Sequence, residues 1–278
     1  MIRYSTTNIS NVDIKRTIKI LRSETITQGK STIEFENNLK KKFHSKYCIT
    51  SNSATSGLIL AMQSLGVKKN DIVWVPAITF VATANSAKYF GAKVEFVDIN
   101  LETYNIDLNH LEKKFSVAKK NKKLPKILVV VHLGGNPCDL KNIRKICNKY
   151  KVKIIEDASH AMGARYKKEV IGNCKHSEIT IFSFHAVKMI TTGEGGALLT
   201  NNKKLYEIAK NLRSHGIIKD LSKKNFWIYD QKQLGYNFRL TDFQSALGDS
   251  QLKYLDKFVK KRNQLANYYY EFLDNKNI

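Results

Sequence analysis

The chemistry of this chain centres on one lysine, Lys188, which lies in a turn between two unlike segments. The apolar run Ile179–Phe182 and then Ser183 precede it, and a stretch rich in threonine and glycine follows it and leads into a strand predicted at Ala197–Thr200. A lysine that is held at the end of a strand and partly removed from water has a lowered pKa, so its neutral amine can attack an aldehyde and form a Schiff base. Since the chain contains 47 lysines and arginines, a lone lysine is more often a surface residue, and this interpretation requires a second chemical group.

That second group is Asp157, the last residue of the predicted strand Lys153–Asp157. A carboxylate at the carboxyl end of a parallel strand projects into the crevice where α/β proteins bind ligands. In enzymes that use pyridoxal phosphate, an acid pairs with the pyridinium nitrogen of the cofactor and keeps it protonated. The alternative is that Asp157 caps a helix beside Ser159, and the presence of Lys188 further along the chain favours the catalytic interpretation.

Five segments of the chain resemble, in the same order, successive blocks of the DegT-type nucleotide-sugar aminotransferases. They are NSATSGL (Asn52–Leu58), PAITFVATAN (Pro76–Asn85), EDASHAMGARY (Glu156–Tyr166), SFHAVKMITTGEGGAL (Ser183–Leu198) and LGYNFRLTDFQSALG (Leu234–Gly248). The resemblance implies an α/β chain with the type I fold of PLP-dependent transferases, in which helices flank a mainly parallel central sheet. Within the family, ITQGK, NSATS and EDASH are most similar to the PseC-like group, which makes a UDP-linked 4-amino-4,6-dideoxy sugar on the route to pseudaminic acid.

The resemblance also implies which residues hold the cofactor, pyridoxal 5'-phosphate. Ala54, Thr55 and Ser183 match positions that contact its phosphate. Small residues and hydroxyls at the start of a helix suit this role, because the free N–H groups and the helix dipole attract an anion there. Ordinary N-capping by Asn52 or Ser53 is the alternative, and it accounts for only one residue of the segment.

Three further residues match cofactor positions of the family. Phe80 matches the aromatic residue that stacks on the pyridine ring, although an aromatic residue after a strand usually packs in a core. His160 matches a residue near the phenolic oxygen of the ring, with a purely structural histidine as the alternative. Asn237 matches a residue that reaches the cofactor phosphate of the neighbouring subunit, so the resemblance implies a homodimer with shared active sites; the alternative is an asparagine of a turn.

Two more features are expected to support the site. His132 and Asp139, in VHLGGNPCD, also match a block of the family, and no chemical step follows for them. The segment Gly193–Gly196 (GEGG) does not match the spacing of a phosphate-binding loop. Its glycines are expected to let the backbone pass close to the Lys188 turn.

Composition limits the class of protein. The net charge of +23 is typical of nucleic-acid binding, but the lysines are dispersed and accompany no nucleic-acid motif, so we expect a solvated surface that also attracts an anionic sugar nucleotide. The four cysteines lack C-x-x-C spacing, which predicts reduced structural thiols and no metal site. Without a secretion signal or a membrane span, a cytoplasmic protein is expected.

Strands and helices alternate along the predicted pattern, which is the signature of a mainly parallel sheet. We expect a large cofactor-binding domain over residues 1–250 and the start of a small C-terminal domain over residues 251–278. Because members of the family continue well beyond this length, the chain is expected to be truncated and most of its small domain to be absent.

The expected reaction is a two-stage amino transfer. Lys188 holds the cofactor and moves a proton, Asp157 keeps the ring nitrogen charged, and the amine passes from a donor, L-glutamate by resemblance, to a nucleotide-linked 4-keto-6-deoxy sugar. Two alternatives remain. One is a sugar dehydratase of the same fold, although the relatives that perform this dehydration replace the lysine that is present here as Lys188. The other is a non-catalytic basic binding protein that inherited the fold.

Overall fold

Apolar runs and amphipathic segments alternate along the chain, and in the computed structural model, which describes residues 6–219 and 227–273, they form strands and helices in the same order. The helices are α1 (Asn11–Leu21), α2 (Lys30–Phe43), α3 (Ala54–Ser64), α4 (Val81–Lys88), α5 (Leu108–Lys120), α6 (Leu140–Lys149), α7 (Lys203–Arg213), α8 (Asp242–Leu252) and α9 (Leu255–Phe272). The strands are β1 (Tyr47–Ser51), β2 (Ile72–Pro76), β3 (Lys93–Val97), β4 (Ile127–Val131), β5 (Lys153–Asp157), β6 (Arg165–Tyr166), β7 (Glu169–Val170), β8 (Ile179–Ser183), β9 (Gly196–Thr200), β10 (Ile217–Lys219) and β11 (Tyr229–Gln231).

Within the described part of the chain, seven strands form one sheet in the order β1-β9-β8-β5-β4-β2-β3. Strand β9 runs antiparallel to both of its neighbours, and the other six strands share one direction. Helices connect most of the parallel strands, as such strands require long crossover connections, and the segment with the β6–β7 hairpin connects β5 to β8. The expected fold class, a mainly parallel sheet flanked by helices, is therefore confirmed.

The central strands are apolar on both faces because helices cover both sides of the sheet. One core lies between the sheet and helices α2, α5 and α6, and its largest side chains include Trp74, Phe35 and Phe115. The other core lies between the sheet and helices α3, α4 and α7, and it includes Val129 and Ile181. These two cores hold the strand ends in place from both faces.

The carboxyl ends of the parallel strands meet at one edge of the sheet, which we call the crevice edge. It consists of the segments that follow five strands: β1 leads to α3, β2 to α4, β4 to residues 132–139, β5 to residues 158–164, and β8 to residues 184–195. Ligands of open α/β sheets bind at this edge. Most of the residues singled out by the sequence lie on these segments.

Helix α1 departs from the usual arrangement, in which the apolar side of a surface helix faces the core. Its apolar residues Val12, Ile18 and Leu21 are exposed, and the residue that it buries is Asp13. Asp13 completes a capping box with Ser10 and accepts a hydrogen bond from Gln251 Nε2 at 2.8 Å. The helix is therefore anchored to α8 by polar contacts, and its apolar side chains face away from the core of this chain.

Smaller differences concern boundaries and short strands. Helix α3 begins at Ala54, because Ser53 is extended and caps it with a side-chain oxygen. The hairpin β6–β7 lies between Asp157 and Lys188, an interval long enough for a hairpin and one more strand, whereas the hairpin β10–β11 was not expected. Helix α8 ends at Leu252 and α9 begins at Leu255, so the predicted domain boundary falls near this junction and stays a prediction.

The cysteines are structural thiols, as expected from their spacing, and a dense run of lysines lies on the surface. Cys48, Cys138, Cys147 and Cys174 are buried and free. The run Lys119–Lys123 is exposed at the end of α5. Among the described residues, no helix combines the length and the apolar character that a bilayer crossing requires.

Candidate active site

Asp157 ends strand β5 at the crevice edge and is 5% exposed. Thr83 donates its hydroxyl to Asp157 Oδ2 at 2.8 Å. Ser159 donates to Oδ1 twice, from its backbone N–H at 3.2 Å and from its hydroxyl at 2.7 Å. Donors on both oxygens hold the carboxylate in one orientation, on the side of the sheet that α4 covers. The side chain of Asp157 does not cap a helix, so the alternative interpretation is excluded.

Ser183 ends the neighbouring strand β8 and is also buried. Its hydroxyl accepts the backbone N–H of His185 at 3.3 Å, which starts the Lys188 turn. Ser183 pairs with Gly196 of β9, and a Cβ added to Gly196 would lie 2.6 Å from the backbone nitrogen of Ala54. Glycine at this position therefore permits strand β9 to approach the first turn of α3.

The first turn of α3 presents backbone donors. Within the described residues, no acceptor faces the N–H groups of Ala54 and Thr55, and both residues are half-buried. Ser53 caps the helix by accepting the N–H of Ser56 at 3.1 Å. N-capping is thus confirmed for Ser53, and it leaves two neighbouring N–H groups at the positive end of the helix dipole, where an anion is stabilised.

Lys188 is half-buried in the turn that joins β8 to β9. Its backbone N–H donates to the carbonyl of His185 at 2.9 Å, and Arg262 of α9 donates to its backbone carbonyl at 3.3 Å. Burial lowers the pKa of the Lys188 amine, the Asp157 carboxylate opposes this effect, and the charge of Arg262 lowers the pKa further. The neutral, nucleophilic amine is therefore more populated than in an ordinary surface lysine.

The threonine and glycine residues after Lys188 shape its turn. Thr192 donates its hydroxyl to the carbonyl of Glu194 at 2.7 Å, and its backbone N–H to the carbonyl of Phe184 at 3.0 Å. A Cβ added to Gly195 would lie 2.3 Å from Thr192 Oγ1. The carbonyl of Gly195 also accepts the backbone N–H of Phe184 at 2.9 Å, so the backbone passes close to the start of the Lys188 turn at this glycine, as the sequence predicted.

His160 follows Asp157 at the crevice edge and exposes its ring. Burial of part of the ring lowers the pKa of His160, the positive charge of Lys188 lowers it further, and Asp157 opposes both effects. Lys188 and Asp157 therefore lie close enough to His160 to act on the charge of its ring. The backbone N–H of Gly134 donates to His160 Nδ1 at 3.3 Å.

Phe80 and Asn237 lie at the outer rim of this group. Phe80 precedes α4 and is 71% exposed, so it does not pack in a core. Its carbonyl accepts the N–H of Thr83, the residue that contacts Asp157. Asn237 is exposed and forms an isolated antiparallel β-bridge with Ser214. The next residue, Phe238, accepts the backbone N–H of Asn52 at 2.9 Å, and this hydrogen bond connects the segment to the start of α3.

His132 and Glu156 form a buried polar pair on the other face of the sheet. The two residues are 0% and 1% exposed, and His132 Nε2 lies 3.0 Å from Glu156 Oε2. The backbone N–H of Cys138 donates to His132 Nδ1 at 3.1 Å. The histidine therefore joins strand β5 to the segment after β4. Asp139 lies further away, where it caps α6 and accepts the hydroxyl of Tyr166.

A cavity of about 1970 Å³ opens beside the site, between the crevice edge and α9. Lys188 and His160 line it, together with Gly134 and Gly135 from the segment after β4. Ala54, Thr55, Phe80 and Ser183 do not line it. Apart from Asn237, the candidate residues therefore fall into two groups. Lys188 and His160 face the open cavity, whereas the others lie at the starts of α3 and α4 or at the ends of β5 and β8.

The chemical types at the crevice edge fit pyridoxal 5'-phosphate. The start of α3 offers two free N–H groups to a phosphate, Lys188 offers an amine of lowered pKa to an aldehyde, and Asp157 offers a carboxylate to a protonated ring nitrogen. Sequence reasoning missed Thr83 and Arg262. The segment TFVAT, with threonines at positions 79 and 83, could have indicated Thr83. No local pattern indicates Arg262.

Comparison with known proteins agrees with this geometry. A model of the DegT/DnrJ/EryC1/StrS aminotransferase family matches residues 7–277. The UDP-4-amino-4,6-dideoxy-N-acetyl-beta-L-altrosamine transaminase of Campylobacter jejuni subsp. jejuni serotype O:2 is 44% identical over 269 residues, which are 97% of this chain and 69% of that protein. The GDP-perosamine synthase of Escherichia coli O157:H7 is 34% identical over 243 residues, or 87% of this chain and 63% of that protein.

Two solved structures have the same fold. Helicobacter pylori PseC, an aminotransferase of pseudaminic acid biosynthesis, superimposes with a TM-score of 0.90 at 35% identity over 98% of this chain and 71% of that chain. The sugar aminotransferase Spr1654 of Streptococcus pneumoniae, in its PMP form, superimposes with a TM-score of 0.89 at 29% identity over 97% and 71% of the two chains. With a family match over nearly its whole length, the chain belongs to the DegT/DnrJ/EryC1/StrS aminotransferase family.

Proposed function

We propose that this protein is a PLP-dependent aminotransferase that moves an amino group from L-glutamate to a nucleotide-linked 4-keto-6-deoxy sugar. The observation that carries the proposal is that Asp157, at the end of β5, lies close enough to Lys188, in the turn after the adjacent strand β8, to oppose the lowering of the pKa of its amine. Sugar aminotransferases among the relatives support the substrate class. The relatives named as altrosamine transaminases support a UDP-linked sugar of pseudaminic acid biosynthesis as the acceptor.

Each candidate residue has a part in holding the cofactor. The N–H groups of Ala54 and Thr55 and the hydroxyl of Ser183 bind its phosphate, Phe80 stacks on its ring, and His160 contacts its phenolic oxygen. When bound, the cofactor supplies an electron sink that stabilises negative charge at the α-carbon of an attached amino acid. Structures of Spr1654 in PLP and PMP forms support such a cofactor in this fold.

Lys188 carries the proton transfers. Burial and Arg262 lower the pKa of its amine, so the amine accepts a proton from the donor α-carbon at a pH closer to neutrality than an ordinary lysine does. Asp157, which Thr83 and Ser159 hold in one orientation, keeps a proton on the ring nitrogen through its negative charge. The two residues act on the same group from different sides, and neither can replace the other.

The proposal is tested by trapping the lysine. Borohydride reduction of the protein loaded with pyridoxal 5'-phosphate, followed by peptide mapping, is expected to place the pyridoxyl group on Lys188. The Lys188→Ala variant is the matched control and should take up no stable label. Labelling of another lysine, or the absence of a visible absorption band after cofactor addition, contradicts the proposal.

The sugar specificity needs a second measurement. With L-glutamate as donor, the protein is expected to aminate a UDP-linked 4-keto-6-deoxy N-acetylhexosamine faster than a GDP-linked 4-keto-6-deoxymannose. Formation of 2-oxoglutarate in a coupled assay measures both reactions. A preference for the GDP-linked sugar would retain the aminotransferase and reject the UDP-linked substrate.

The same proposal includes a homodimer in which Asn237 completes the partner's phosphate site. The exposed position of Asn237 supports it, as do the exposed apolar side chains of α1, which a second copy would cover. Mixing inactive Lys188→Ala chains with inactive Asn237→Ala chains should restore part of the activity, since some mixed dimers then hold one site with both residues intact. Absence of any recovery while the two variants still associate rejects the shared site.

A further inference from the structure

The segment after β4 forms a tight turn, Leu133–Asn136, that faces His160. The backbone N–H of Gly134 donates to His160 Nδ1 at 3.3 Å. A nitrogen that accepts a hydrogen bond uses its lone pair and carries no proton, so the proton of a neutral imidazole must then lie on the other nitrogen, Nε2. The turn therefore selects one of the two tautomers of His160.

The turn is held in place from two directions. Asn105, which is 6% exposed, accepts the N–H of Leu133 at 3.4 Å and donates to the carbonyl of Asn136 at 3.1 Å, so it brackets both ends of the turn. His132, held by Glu156, accepts the N–H of Cys138 just beyond the turn. These contacts come from buried side chains and keep the Gly134 N–H aimed at the imidazole.

Gly135 sets the distance between the turn and His160. It has a φ of 89°, and a Cβ added to it would lie 2.9 Å from the backbone carbonyl oxygen of His160. Gly134 has a φ of 61°, and a Cβ added there meets nothing within 4 Å. Both glycines adopt a left-handed backbone conformation that residues with a side chain rarely adopt, but only Gly135 is required for the close approach.

We propose that the turn Leu133–Asn136 is a positioning element that fixes His160 as an Nε2–H tautomer, so that this histidine faces the cofactor site as a hydrogen-bond donor and not as a base. The donor is suited to a phenolate oxygen, which carries negative charge. The cofactor part of this inference rests on the proposed function, whereas the tautomer of His160 does not. The lowered pKa of His160 agrees with a neutral ring.

The tautomer is measured directly by NMR. Long-range proton–nitrogen correlation spectra of protein labelled with ¹⁵N-histidine, at about pH 8, distinguish the two neutral tautomers of an imidazole. The His160→Gln variant identifies the His160 signals among those of the seven histidines. The unmodified protein is expected to show a single Nε2–H tautomer, before and after addition of pyridoxal 5'-phosphate.

Two glycine variants form a matched pair. Gly135→Ala is expected to lose the single tautomer, because the added methyl group displaces the turn from His160. Gly134→Ala bears a similar conformational cost but keeps the N–H and the spacing, so it should retain the tautomer. His160→Gln, whose amide presents an N–H where Nε2 lies, is expected to retain cofactor better than His160→Phe.

The inference is overturned if the unmodified protein shows an Nδ1–H tautomer or a mixture, or if Gly135→Ala and Gly134→Ala give the same spectrum. If Gly135→Ala does not fold, Asn105→Ala, which releases both ends of the turn, takes its place and should also lose the single tautomer. An Nε2–H signal without any visible band on cofactor addition would contradict the proposed function and leave the tautomer intact. A visible band together with an Nδ1–H tautomer would agree with the proposed function and contradict the inference about His160.

Discussion

Glu156 and Asp157 are adjacent carboxylic acids on one strand, yet they belong to two different regions. Asp157 faces the crevice edge, where Thr83 and Ser159 orient it. Glu156 faces the opposite side of the sheet, where His132 and Ser177 donate to its two oxygens in the buried interior. Successive side chains of a strand point to opposite faces, so one residue of sequence separates the two environments.

The difference shows how similar groups acquire different tasks. Both acids are buried and both are hydrogen-bonded, so burial alone does not identify the catalytic one. Asp157 lies close enough to Lys188 to act on the pKa of its amine, whereas Glu156 is paired with His132 and Ser177 on the other face of the sheet. We therefore expect a substitution of Asp157 to reduce turnover and a substitution of Glu156 to reduce stability.

The largest effect is expected for Asp157→Asn. An amide cannot keep a proton on the ring nitrogen, so turnover should fall roughly a thousandfold, equivalent to about 4 kcal/mol of transition-state stabilisation. Steady-state kinetics measure the loss, and thermal unfolding should show a fold that is close to the unmodified protein. Near-normal turnover would mean that another acid faces the ring, and Asp157 would then not differ from Glu156 in its role.

Gly196→Ala tests the close contact at the crevice edge. The new Cβ would lie 2.6 Å from Ala54 N and 2.7 Å from Ser53 C, and backbone atoms cannot move aside easily. The free energy of unfolding should fall by about 3 kcal/mol, and cofactor retention should fall with it. Denaturant unfolding and dialysis against buffer measure the two effects.

The matched control is Gly57→Ala, inside α3. Its added Cβ would lie 3.4 Å from Ile181 Cγ2, which is close to ordinary contact, and alanine favours a helix. It should destabilise far less than Gly196→Ala. Equal losses from both variants would show that the approach of β9 to α3 is not constrained.

Glu156→Gln is expected to act on stability. The amide replaces one acceptor oxygen by a donor, so it cannot accept from both His132 and Ser177, and one buried donor loses its partner. Unfolding free energy should fall by about 2 kcal/mol. Turnover of the folded fraction should change less than about tenfold. A loss of turnover as large as that of Asp157→Asn, without loss of stability, would remove the distinction between the two acids.

The smallest effect is expected for Arg262→Ala. The guanidinium of Arg262 lowers the pKa of Lys188, and removing a positive neighbour favours the protonated amine, so the pKa of Lys188 should rise. The pH midpoint of cofactor attachment, followed by its visible band, should therefore move to higher pH. Lys261→Ala, which removes a neighbouring charge on α9, is the control and should leave the midpoint in place.

Much of the fold was predictable from periodicity and from strand composition. The alternation of apolar runs with helical spacing predicted the strands of the central sheet and its mainly parallel arrangement, because buried parallel strands must be apolar on both faces. The exposed apolar side chains of α1 were not predictable. Spacing indicates which side of a helix is apolar, but it does not indicate whether this chain or another surface covers that side.

The candidate site divides in the same way. Lys188 and Asp157 were found from their types and from their positions after apolar runs, and the resemblance added Ala54, Thr55, Phe80, His160, Ser183 and Asn237 as expectations whose chemical roles stay predictions. The sequence determined which residues lie at strand ends, because that depends on local pattern. Only the tertiary structure decided what surrounds them: Thr83 from α4 on Asp157, Arg262 from α9 beside Lys188, and the Gly134 turn on His160. These contacts join segments that are distant in sequence, and their geometry is set by the packing of the sheet between its two layers of helices, which no local pattern records.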